Sequence, residues 1–140
     1  MWTQLILVMF LAFGKTTNQM AELNLTVDKI KSDIGVIRVL VFNQENGWPD
    51  DPSKAIQSAT LVINQNQAFY TFKNLPAGRY AIAVIHDTEN KGKLRVNRFG
   101  IPQDGYGFSN NVTGTFGPPS FSKATFSLTT GVNRQTISLR

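Results

Sequence analysis

Apolar residues in this chain recur at every second position, and almost nowhere at every third or fourth. In LNLTVD, Leu23, Leu25 and Val27 fall on one side and Asn24, Thr26 and Asp28 on the other. ATFSLT repeats the pattern, with Ala124, Phe126 and Leu128 on one side and Thr125, Ser127 and Thr129 on the other. Successive side chains of a strand point to opposite faces, so these segments make strands with one face on a core and one in water. A helix would scatter the same apolar residues around its circumference. GVIRVLVF (Gly35 to Phe42) and YAIAVI (Tyr80 to Ile85) are apolar on both faces and read as central strands. ATLVIN, QAFYTFK and RQTISL supply three more. About seven short strands are what an immunoglobulin-like sandwich requires. The sequence therefore predicts an all-β fold, an antiparallel β-sandwich of about seven strands.

With 140 residues, the chain has room for one domain of ordinary size. Its 41% hydrophobic and 16% charged residues are the balance of a globular protein, not a disordered one. Cysteine is absent, which excludes disulfides, thiolate metal sites, a cysteine nucleophile and a lipidated cysteine. The formal charge of +5 is spread along the chain, and only Lys91, Lys93, Arg95 and Arg98 gather. No nucleic-acid motif accompanies them, so no nucleic-acid partner is expected.

An apolar run from Leu5 to Phe13, followed by polar residues, fits the hydrophobic region of a secretory signal peptide. It is too short to span a bilayer, which needs about 20 apolar residues. Residues 1–20 are read as a leader cleaved between Gly14 and Ala21, and residues 21–140 as the folded domain. No second run of membrane length follows. The expectation is a periplasmic or secreted protein with no integral span after cleavage, meeting an envelope or extracellular partner.

Three stretches read as connections. INQNQA turns at Asn64 to Gln67 as a hairpin. NLPAGRY places Pro76 and Gly78 as a type I turn would. QENGWPDDPSKAI is a loop with one helical turn near Ser53 to Ile56, whose Trp48 either folds over the core edge or offers a platform to a sugar ring. From Asp87 to Phe121 the alternation lapses. This long loop holds six of the eleven glycines and three of the six prolines. Phe99, Tyr106, Phe108, Phe116 and Phe121 argue that it packs down, with YGFSNNVTG as a short strand inside it. Loops this long inside a compact domain are usually functional.

Four blocks together carry a family resemblance: GVIRVLVFN with GWP, FKNLPAGRYAIAVIHD, NRFGIPQDGYGFSNN and FGPPSFSKATFSL. They resemble the bacterial family DUF2141 over nearly the whole mature chain. The resemblance implies a small exported β-sandwich and supplies no activity. FKNLPAGRY is also similar to the turn between core strands in transthyretin-like and carboxypeptidase-regulatory-like sandwiches. After the His-Asp pair, that family resembles a calcium loop, with oxygen ligands at positions 1, 3, 5 and 9 and glycine at 6. Here those positions are Asp87, Glu89, Lys91, Arg95 and, for the glycine, Gly92. Two ligands have become cations, and calcium needs six to eight oxygens. No cofactor is therefore expected, with calcium on Asp87 and Glu89 as the alternative. The leading expectation is ion pairing of these acids with Lys91, Lys93 or Arg95, with Gly92 retained for a positive φ.

His86 is the sole histidine and shares phase with Tyr80, Ile82 and Val84, so a core position is expected. Its neighbour Asp87 suggests acid–base chemistry, with Ser109 or Ser120 as nucleophile, but neither serine has a nucleophile-elbow context. Tyr106, Phe108, Ser109, Asn110 and Asn111 form a polar and aromatic cluster. They are read, with His86 and Asp87, as candidate binding residues; the asparagines alternatively cap loop backbone. The sequence thus supports a non-catalytic exported binding or structural module first, a calcium-stabilised module second, and a hydrolase using His86 and Asp87 third.

Overall fold

The computed structural model describes Gly14 and residues 19–140, so the apolar run of the expected leader lies outside the described residues. Eight strands follow in order: β1 (Met20–Asp28), β2 (Val36–Phe42), β3 (Gln57–Val62), β4 (Ala68–Pro76), β5 (Gly78–Asp87), β6 (Tyr106–Phe108), β7 (Phe126–Leu128) and β8 (Gly131–Ser138). The one α-helix among the described residues, α1, is the single turn Phe121–Ala124, capped by Ser120 Oγ accepting from the Lys123 amide. The helical turn expected near Ser53 is only a hydrogen-bonded turn, because Asp51 accepts from the Ser53 amide and hydroxyl and holds that loop locally.

The strands form two sheets. The first has the order β4–β1–β8 and the second β3–β2–β5–β6, with β7 beside the start of β5. Every pairing is antiparallel except one. β1 and β8 run parallel, with Ala21 opposite Gly131 and Asp28 opposite Ser138. The expected antiparallel sandwich is found, with this pair as its parallel exception. Nearly the whole chain separates the two strands, so no tight hairpin dictates their relative direction.

Alternation places the core. Leu23, Leu25 and Val27 of the first sheet face Ile37, Val39, Val41, Ile82 and Val84 of the second, all buried. The chain changes sheet at tight corners. At Asn64–Gln67 two backbone hydrogen bonds close a turn whose central residues, Gln65 and Asn66, both have positive φ, the geometry that favours asparagine and glycine. Both their amides donate to the Asp33 carboxylate. The flanking strands lie in different sheets, so this is a corner and not a hairpin within one sheet. At the next corner only Ala77 separates β4 from β5, and Tyr80 Oη donates to the Pro76 carbonyl at 2.6 Å. Such a tyrosine corner recurs in immunoglobulin-like sandwiches.

The C-terminus closes the sandwich on its far side. Tyr106 and Arg140 exchange backbone hydrogen bonds of 3.2 and 3.0 Å, and the Leu139 amide donates to the Asp28 carbonyl. Gly107 makes this closure possible. A Cβ there would stand 2.8 Å from Ile137 Cγ2.

Candidate functional site

Strand register fixes two rows of side chains on the outer face of the second sheet. Thr60, Arg38, Ile85 and Tyr106 lie abreast in one row, and Ser58, Leu40, Ala83 and Phe108 in the next. Such a face on a sandwich would ordinarily be polar. Here its centre is apolar and its residues are mostly half-buried. They floor a groove of about 950 Å³, near the upper end of ligand-site volumes. Loops climb around it: 92–102 on one wall, 114–118 on another, and Pro49 to Pro52 at the Phe42 end. Val96, Phe99, Ile101 and Phe116, on the first two loops, are exposed apolar side chains.

Aromatic rings close the Phe42 end. The Trp48 ring meets Phe42, Phe108 and Phe121 at centroid distances of 5.5, 5.7 and 5.9 Å. Its indole N–H donates to the Pro119 carbonyl at 2.9 Å, tying two loops together over the sheet. Trp48 therefore folds over the edge of the core, one of the two roles its sequence context allowed.

The other end is charged. Asp87, buried to 2% exposure, accepts from the Arg38 guanidinium and from the amides of Lys91 and Gly92 at 3.0 and 2.7 Å. Gly92 has φ +83°, the left-handed conformation expected of it. Arg38 Nη2 also donates to Asn90 Oδ1 at 2.7 Å. Burial alone pushes the Asp87 carboxyl up. The Arg38 hydrogen bond, the Gly92 and Lys91 amides and the Arg38 charge outweigh it, and the carboxyl lies below its ordinary value of 3.8.

The expected partners of Asp87 are thus corrected: its cation is Arg38 from β2, not a lysine or arginine of its own loop. Glu89 pairs instead with Lys91 at 2.9 Å and Arg95 at 3.6 Å, while Asp104 takes Arg95 and the Thr88 hydroxyl, each at 3.0 Å. Asp87 and Glu89 line one small pocket with Asp104, but each of the two is held by its own cation. Among the described residues, no group of three or more acidic or histidine side chains is placed to hold a metal. The Asp87 carboxylate faces the Arg38 guanidinium.

His86 points the opposite way from Asp87, as adjacent strand residues must. It is buried, and its Nε2 donates to the Ile34 carbonyl at 2.7 Å. The two side chains therefore form no dyad. Ser109 is fully buried, accepting from the Ile82 amide at 2.9 Å and donating to the Ala124 carbonyl. Asn110 Nδ2 donates to the carbonyls of Lys123 and Thr125, and Asn111 bridges the Thr136 carbonyl and the Ser138 amide on β8. These three are engaged as backbone caps, and His86 as a core donor. Of the candidate binding residues, only Tyr106 and Phe108 line the groove, and Asp87 positions Arg38 from beneath. Arg38, Leu40 and Ile85 were not singled out in the sequence, and Lys93 only as an ion-pairing cation. One signal was present: a lone arginine inside GVIRVLVF, a strand otherwise apolar on both faces, needs a partner for its charge.

Fold and site together define a small β-sandwich module carrying a loop-walled groove on the outside of one sheet. The chain belongs to the bacterial family described as "Uncharacterized protein conserved in bacteria (DUF2141)", which matches residues 25–136. No curated protein matches it. Among solved structures it is similar to a pilus-presented adhesin, Spy0125 (Cpa), at 16% identity and a TM-score of 0.29. The match covers 86% of this chain and 27% of the adhesin. A likeness that loose carries no argument about this chain.

Proposed function

We propose that this protein is an exported, non-catalytic binding module of the cell envelope, periplasmic or secreted, and that the groove over β2, β5 and β6 is its binding site. The groove carries the reading: an apolar sheet face left partly uncovered, with Pro49, Asp50 and Pro52 at one end beside the Trp48 ring that packs on Phe108, and Arg38, held by Asp87, at the other. Apolar concavities with a few placed polar groups are where ligands bind. The Leu5–Phe13 run supports export. No helix of the described residues is long and apolar enough to cross a membrane. The separation of His86 from Asp87, and the full engagement of Ser109, favour binding over hydrolysis.

The test is amide-resolved NMR on the full chain against a library of sugars, short peptides and single-chain lipids. Shifts clustering at Arg38, Leu40, Ile85 and Phe108 are the expected result. Shifts confined to other surfaces, or none, would remove the groove as the binding site. Ester or amide turnover that disappears in His86→Ala while the fold persists would overturn the non-catalytic reading.

A further inference from the structure

We propose that the groove takes a single-chain anionic amphiphile, a long-chain carboxylate of the free fatty acid type. Its head would lie at the Arg38–Lys93 end and its chain would run toward Trp48. This inference rests on the groove being the binding site, and adds the class and direction of the ligand.

Three observations carry it. The first is the polarity of the lining. Arg38 and Lys93 lie at the end where β5 gives way to its long loop, and the only acid lining the groove among the described residues, Asp50, lies on the loop at the opposite end. Around that end Arg38, Lys91, Lys93 and Arg95 outnumber Asp87, Glu89 and Asp104 by one charge, and Asp50 stands at the other end, which orients an anion.

The second is unsatisfied donor capacity. Asp87 and Asn90 hold Nε and Nη2 of Arg38, while Nη1 has only a 3.4 Å contact to Thr60 Oγ1. A guanidinium has five N–H groups in a fixed fork suited to a carboxylate, so donors remain on a side chain that lines the groove. Asp87 neutralises the charge of Arg38 but also fixes its position. Lys93 supplies net charge, with no acidic partner within 4.0 Å among the described residues.

The third is the floor. Leu40, Ala83, Ile85 and Phe108 form a contiguous apolar surface by register. Along β2 the lining runs from Arg38 to Leu40, about 7 Å at about 3.3 Å per residue, and Pro49, Asp50 and Pro52 continue the groove beyond it. A sugar would need polar groups on several sides and a free aromatic face. The floor offers hydroxyls only at its two edges, Ser58 and Thr60 on β3 and Tyr106 on β6, with an apolar strip between them, and the Trp48 ring is engaged by three other rings.

The experiment titrates the full chain with dodecanoate, methyl dodecanoate and dodecyltrimethylammonium, all below micelle formation, and follows backbone amides by NMR. Dodecanoate is expected to shift the floor amides and to bind at least tenfold tighter than the neutral ester. Lys93→Glu, an exposed loop change, should weaken dodecanoate at least threefold and leave the ester unchanged. Leu40→Trp, which fills the floor, should abolish both while preserving the rest of the spectrum. Equal affinity of ester and carboxylate, or preference for the ammonium, overturns the ligand class and leaves the groove as a binding site. Floor amides that ignore all three amphiphiles but respond to sugars or peptides overturn it too. Floor amides that respond to nothing remove the groove reading with it.

Discussion

Asp87 stands at the end of the central strand β5, and its carboxylate holds the start of the loop beyond it. The oxygens accept from Arg38, Lys91 and Gly92, so one residue holds both the floor of the groove and the start of its wall. Because its folded pKa lies below the unfolded value, its contribution to stability is present above about pH 4. That contribution is lost as pH falls through the folded pKa. Chemical unfolding of the wild type should therefore show stability declining below pH 4, and Asp87→Asn should flatten that limb while lowering stability at pH 7. Removing the guanidinium by Arg38→Leu leaves a buried carboxylate without its cation. It should cost about 2 kcal/mol in equilibrium unfolding, moderated because Arg38 is itself partly exposed. The Asp87 carboxylate is already engaged by the Arg38 guanidinium and two backbone amides. A thermal melt in millimolar calcium should match one in chelator, whereas a midpoint rising with calcium concentration would show a site elsewhere in the loop. The sequence displayed the degenerate calcium spacing but hid the cation that pairs with Asp87, because Arg38 lies far from Asp87 in the chain and meets it only through the register of β2 against β5.

At the scale of elements, β6 illustrates how alternation serves both faces at once. Tyr106 and Phe108 turn outward to the groove, and between them Gly107 turns inward, against Ile137 and Leu139. The glycine is required by proximity rather than by backbone conformation. Gly107→Ala should cost about 1–3 kcal/mol by overpacking, read as a lower denaturation midpoint with an unchanged slope. Short strands such as this were only partly legible. YGFSNNVTG suggested a strand, but three residues of alternation cannot reveal which face is buried. The expected strand ATFSLT is in fact a helical turn ending at Ala124 and a strand starting at Phe126. Ala124 is buried as its phase suggested, but as the last residue of a capped turn, and capping by Ser120 competes locally with strand geometry.

For the whole molecule, the decisive step is the return of the C-terminal strand. β8 lies parallel to β1 in the first sheet, and the residues after it reach across to β6 in the second. Leu139, buried against Gly105 and Gly107, seals that crossing. Leu139→Ala should cost about 2–4 kcal/mol. Hydrogen exchange should show the amides of Tyr106 and Arg140 losing protection before those of β2 and β5, since a closure seam opens more readily than a central pair.

The sequence by itself determined the class of this protein. Two-residue periodicity allows only strands, doubly apolar strands must be central, and the tight turn at Asn64–Gln67 follows local turn chemistry. Each of these depends on neighbours a few positions apart. The tertiary structure alone decided the parallel pairing of β1 and β8, the Arg38–Asp87 pair and the groove above it. Those depend on residues distant in the chain brought together by strand register, and short-range periodicity holds no information about which strands become neighbours.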